Sequence, residues 1–95
     1  MRQSIDQLDQ QILELLCARV RLVLQVGEVK RTLGVDVYDP AREQDLLARV
    51  ARAAPAPITA AMAQRVFQCI IEESRALEQH HIAKPPKASR AASSE

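Results

Sequence analysis

Aromatic side chains are nearly absent from this chain, with one Phe, one Tyr and no Trp among 95 residues. Any core must therefore be aliphatic. Glycine is equally scarce, at two residues, while hydrophobic residues make up 47%. An aliphatic, Ala-rich, Gly-poor composition favours helix over sheet. The two cysteines, Cys17 and Cys69, form no CxxC or Cys/His spacing, which argues against a metal site or a disulfide framework. Each falls within a helical pattern and reads as a free thiol in the core or at its edge. His80 and His81 are adjacent, point to different sides of a helix, and read as solvated rather than as ligands. Charge of one sign is also missing: 13 basic against 12 acidic residues leave a net charge of +1. That balance offers no basic face for nucleic acid. No apolar run approaches the length of a membrane span. The opening MRQSIDQLDQQ has no apolar core of a signal peptide, so a cytoplasmic protein is expected.

What the chain does contain is a long helical seam. Ile5, Leu8, Ile12, Leu15, Arg19, Leu22, Val26 and Val29 are separated by alternating steps of three and four, the spacing of a packed helix. The first helix is expected from about Ser4 to Thr32, capped by Ser4 or Asp6. Gly27 sits inside the pattern and suggests a close backbone approach. Gly34 is the natural stop. A helix of about 28 residues is about 42 Å long, whereas a compact domain of this size has a radius of gyration of about 13 Å. The helix overshoots the monomer, which predicts a homodimer. After the linker from Val35 to Tyr38, Asp39-Pro40 reads as an N-cap followed by proline at the first helical position. The second helix is expected from Pro40 to Ala53, with Leu46, Leu47 and Val50 inward. Ala54-Pro55-Ala56-Pro57 ends it. The third is expected from Ile58 or Thr59 to Ile82, with Met62, Val66, Cys69, Ile70 and Leu77 inward. The fold expectation is therefore all-α, with long, short and long helices over residues 1–82. Residues 83–95 include KPPKASRAASSE and read as a disordered tail.

Within the seam, every member is aliphatic except Arg19. A guanidinium stays charged near neutral pH, and burying it unpaired costs several kcal/mol or more. It needs an anion: either an internal carboxylate such as Glu14 or Glu43, or a ligand. Lys30 follows eleven positions later on nearly the same bearing. Two cations facing one interior suggest a small acid with more than one carboxylate. On the third helix, Val66, Ile70, Ser74 and Glu78 share a stripe that starts apolar and ends polar. That is either a helix emerging into solvent or part of a site. Arg42 and Glu43 open the second helix. Glu suits a positive helix end and Arg does not, unless an anion lies nearby. Arg2, before the first helix, reads alone as a solvated terminal residue.

These residues together resemble the small all-helical chorismate mutases, the AroQ class. The resemblance lies in IDQLDQQILELLCARVRLVLQVGEVK, VYDPAREQDLL and VFQCIIEES, and with their spacers covers roughly residues 2 to 79. It implies an intertwined homodimer of three-helix chains with sites built from both. It also implies conversion of the dianion chorismate to prephenate, with no cofactor, metal, nucleic acid or membrane partner. By this resemblance the substrate-binding residues are Arg2 (from the partner chain), Arg19, Lys30, Asp39, Arg42, Glu43, Ser74 and Glu78. Arg19, Lys30 and Glu78 are the catalytic ones among them. Arg42 is expected to orient Glu43. Glu78 departs from the glutamine usual in bacterial members. Rival readings are a mutase for 4-amino-4-deoxychorismate, an isochorismate-pyruvate lyase on the same scaffold, and a non-enzymatic helical dimer.

Overall fold

A computed structural model of the chain describes residues 1–83 as three helices joined by two short connections: α1 (Arg2–Leu33), α2 (Pro40–Ala53) and α3 (Ala60–Ala83). The tail expected beyond this point lies outside the described residues. No strand occurs among the described residues, and none of their helices is long and apolar enough to cross a membrane.

The local chemistry explains most helix ends. Asp39 caps α2 by accepting the Arg42 backbone N–H at 3.2 Å, and Pro40 follows at the first helical position. Thr59 caps α3 in the same way, its hydroxyl accepting the Met62 N–H at 3.1 Å. Gly34 closes α1 in the left-handed conformation (φ 75°), with its own N–H donating to Arg31 O at 3.1 Å and that of Val35 to Lys30 O at 2.8 Å. This is the Schellman arrangement, which glycine accommodates without a Cβ penalty. The start of α1 differs from expectation. Helix begins at Arg2 with no side-chain cap, and both Ser4 and Asp6 lie inside it. No packing constraint at this solvated end halts the helix at the first available cap.

Packing is in one layer. Both α1 and α2 lie on α3 and do not pack on each other. The molecule measures 44 × 36 × 15 Å, and its thinnest dimension barely exceeds one helix diameter of about 10–12 Å. Its radius of gyration of 16.1 Å exceeds the value of about 12–13 Å for a compact chain of this length. The core within one chain is correspondingly small. Leu47 and Ile71 are the only large apolar side chains buried among the described residues.

Each long helix carries two apolar faces, and only one is used within the chain. On α3 the inward face runs Ala63, Phe67, Ile71, Ser74 and Glu78. The face expected inward from sequence, Met62, Val66, Cys69 and Leu77, is instead exposed. At 100° per residue it lies about a third of a turn away. Ile70 is half-buried between the two. On α1 the seam residues Ile5, Leu8, Ile12, Leu15, Leu22, Val26 and Val29 are all more than half exposed. The more buried apolar positions of α1, which packs on α3, are Leu16, Val20, Val23, Leu24 and Gly27 on the adjacent face. Arg19 and Lys30 project along the boundary between these faces.

The left-handed stop of α1 is open to a direct test. An alanine Cβ at Gly34 meets no atom within 4 Å, so Gly34→Ala should cost only the conformational penalty, about 1 kcal/mol. Urea unfolding should show a lower midpoint with an unchanged slope.

Candidate active site

α3 organises the site because it alone touches both other helices. Its residues Ser74 and Glu78 are buried, at 5% and 9% relative exposure, and they are the buried polar side chains of the described chain. Together with α1, α2 and the linker they line a cleft of about 310 Å³, the lower end of the range for small-molecule sites.

The structure brings seven of the eight residues expected from sequence to this one cleft. From α1 come Arg19 and Lys30. From the start of α2 come Asp39, Arg42 and Glu43. From α3 come Ser74 and Glu78. The floor is apolar, formed by Leu22, Val23, Val26, Leu46 and Ile71. Arg2 is not part of it. It stands exposed at the opposite end of α1, 17 positions from Arg19, or about 25 Å of helical rise,.

Arg19 is half-buried and donates from Nη1 to the Ser74 hydroxyl at 3.2 Å. Neither Glu14 nor Glu43 pairs with it. Glu14 accepts from Gln10 at 3.4 Å, and Glu43 is held elsewhere. Among the described residues Arg19 therefore has a neutral partner and no carboxylate. Lys30, also half-buried, forms no salt bridge among them either. The requirement for an anion, inferred from the seam, is not met among the described residues.

Glu78 packs against the backbone of α1. A Cβ on Gly27 would stand 2.5 Å from Glu78 Oε2 and 3.1 Å from its Cγ, so glycine at position 27 makes the room that this carboxyl occupies. The expected close approach at Gly27 is thus the seat of a site residue. Burial pushes the Glu78 pKa above its ordinary value, with the nearby Glu43 charge acting in the same direction and Lys30 opposing both. The carboxyl is therefore biased toward its protonated form, in which it can donate a hydrogen bond.

Glu43 is held differently from the sequence expectation. Arg42 makes no ion pair with it, and its side chain is exposed. Arg75 takes that role instead, from α3. Its Nη2 donates to Glu43 Oε1 at 2.5 Å and its Nε to Oε2 at 3.3 Å. The same guanidinium lies over the Tyr38 ring, 4.6 Å from the centroid. The Glu43 carboxylate raises the Arg75 pKa still further. Arg75 also lines the cleft. Sequence reading missed it because its neighbours Glu72, Glu73 and Glu78 make it look like one more charge on a solvated helix. Its partner lies 32 positions away, and only the α2–α3 contact reveals the pair.

The cleft is thus polar on three walls, greasy at its floor, and carries cations, Arg19 and Lys30, that have no ion-pair partner among the described residues. That arrangement suits a compact, multiply anionic molecule with an apolar ring. Comparison with known proteins agrees. Residues 1–79 match the family described as chorismate mutase type II. The chain is 30% identical over 83 residues to the chorismate mutase of Methanocaldococcus jannaschii, covering 86% of this chain and 84% of that protein. It is 39% identical over 79 residues to the T-protein of Haemophilus influenzae, covering 82% of this chain but only 21% of that longer protein. Among solved structures, chorismate mutase (Form II) from Thermus thermophilus superposes with a TM-score of 0.79 at 35% identity, over 82% of this chain and 89% of that one. Sequence match, helical architecture and cleft agree, and the chain belongs to the chorismate mutase type II family.

Proposed function

We propose that this chain converts chorismate to prephenate in the cleft between its three helices, working as a homodimer in which each site receives Arg2 from the other copy. The observation that carries the reading is Arg19: a half-buried guanidinium with only a hydroxyl for a partner. A dianionic substrate supplies the missing charge.

The reaction is a concerted [3,3] shift that needs no nucleophile and no proton transfer. Accelerating it about a millionfold requires about 8 kcal/mol of differential stabilisation. Two effects supply it. One is orientation, holding the flexible enolpyruvyl arm over the ring. The other is stabilisation of the negative charge that grows on the ether oxygen as its bond to carbon lengthens. In this reading Arg19 and the Arg2 of the other chain hold the two carboxylates. Ser74, already bonded to Arg19, assists at one of them. Asp39 and Arg42 complete the wall at the start of α2. Glu43 accepts a hydrogen bond from the ring hydroxyl. Lys30 donates to the ether oxygen, and protonated Glu78 donates to it from the other side.

The homodimer rests on exposed apolar surface. Leu8 and Leu15 are 57% and 70% exposed in the single chain, on a stripe running the length of α1. A contiguous apolar surface of this length on a one-layer molecule is the mark of an interface rather than of a solvated face. Two copies pairing α1 against α1 in opposite directions would cover that stripe and carry each Arg2 toward the other chain's Arg19. Leu8→Asp combined with Leu15→Asp should therefore yield monomer by sedimentation and abolish turnover. A variant that stays dimeric and active would refute this pairing.

Two substitutions test the roles within the cleft. Arg19→Lys exchanges a planar fork for a point charge and should lower kcat/KM by about tenfold to a hundredfold. An enzyme nearly as active as the parent would show that the clamp is wrongly assigned. Glu78 acts only when protonated, and its pKa is raised. Activity should therefore be full below that pKa and fall as pH rises through it. Glu78→Gln, a donor at every pH, should flatten the fall. The measurement is kcat against pH, with the product identified as prephenate to separate this reaction from those of amino or iso analogues.

A further inference from the structure

We propose that Arg75 is the positioning residue for Glu43, fixing the one carboxylate that reads the ring substituent of the substrate and thereby setting which ring donor the enzyme accepts. The inference rests on the reading of the cleft given above and goes beyond it, because the family resemblance assigns no role to this position.

The geometry carries the argument. Glu43 sits in the first turn of α2, and α2 does not pack on α1, although the cleft lies between them. Among the described residues no α1 side chain hydrogen-bonds or pairs with the Glu43 carboxylate. Asp39, at the cap of the same helix, accepts the Arg42 N–H and as a carboxylate has no donor to offer Glu43. The hold comes from α3, where Arg75 engages both carboxylate oxygens through two different nitrogens. A planar fork on a planar carboxylate fixes both the tilt and the rotation of the group. Arg75 is itself held, because its guanidinium stacks on Tyr38 in the linker that leads into α2. The pair is partly shielded, with the side chains 30% and 22% exposed. One residue earlier on the same helix, Ser74 holds Arg19. Successive positions of α3 thus set opposite walls of the cleft.

The consequence for recognition follows from hydrogen-bond inventory. A carboxylate in this two-pronged pairing is an acceptor only, and about two of its four lone-pair sites remain free. Because Glu43 lines the cleft, those sites can satisfy a hydroxyl or ammonium on the substrate ring. A substrate with no donor there gains nothing from the arrangement. Arg75 touches neither substrate nor reacting atoms in this scheme. Its effect passes through Glu43, so it should appear only where the substrate has a ring donor for Glu43 to bind.

The test compares two substrates, chorismate and its analogue lacking the ring hydroxyl, on Arg75→Met and Arg75→Lys enzymes. Arg75→Met keeps the apolar stem and removes the fork. It should lower kcat/KM for chorismate by about tenfold to a hundredfold, the range for loss of a charged hydrogen bond. For the analogue the change should stay within about twofold, inside the range of a neutral surface change. Arg75→Lys should restore part of the loss, and Arg75→Met placed in a Glu43→Gln background should add little to it. Equal losses on both substrates would mean that Arg75 merely supports the fold, and no loss on either would mean that Glu43 is positioned without it. Both results overturn the assignment. Wild-type protein that does not turn over chorismate would sink the proposed reaction as well. Normal wild-type turnover with equal losses would sink only the role of Arg75.

Discussion

The site depends on positive charge in a cleft that no carboxylate among the described residues pairs. Burying a cation beside its own carboxylate is the common solution, and the chain has the carboxylates to do it. Instead the carboxylates that line the cleft are committed elsewhere or biased toward the neutral form. Asp39 is used by the helix cap, Glu43 by Arg75, and Glu78 is pushed toward its neutral form by burial. Arg19 is left with a hydroxyl, and Lys30 with no ion pair among the described residues. An internal ion pair would relieve the desolvation cost but close the site to an anionic ligand. In the proposed function, leaving the charges unanswered sacrifices some stability of the empty protein for affinity toward a dianion.

That sacrifice falls on a chain with little stability to spare. Among its described residues two large apolar side chains form the buried core, and α1 rests on α3 along only one of its apolar faces. Stability and catalysis therefore share one source in the proposed dimer. The surface that would complete the core is on the same helix as the cations. The boundary position of Arg19 and Lys30, between the face that α3 covers and the face left open, lets both kinds of contact meet at the cleft.

Much of this was legible in the sequence, and the remainder was not for identifiable reasons. Gly34, Asp39-Pro40 and the break after Ala53 act through local backbone chemistry, so their effect can be read from a few adjacent letters. Arg19 stood out because a single cation interrupted an aliphatic seam. The choice of Met62 and Val66 as inward residues failed because periodicity reveals an apolar face but not which neighbour it meets. α3 has two such faces, and the one used within the chain is built on Ala63, Phe67 and Ile71. Arg75 was illegible because its importance lies in a pairing across 32 positions. Crediting Arg42 with the hold on Glu43 reflected proximity along the chain, while the bond is made by proximity in space.

The contact between Gly27 and Glu78 ties together two positions 51 apart in the chain. Any side chain at position 27 would occupy the volume that the carboxyl fills, and a shorter residue at 78 would leave that volume empty and remove the donor. Each letter therefore constrains the other. A side chain at 27 would force the end of Glu78 to move, whereas glutamine at 78 keeps the length that fills the space beside Gly27. An isolated glycine in a long helix, which costs about 1 kcal/mol relative to alanine, is in this light the helix's share in seating the proposed donor from another helix.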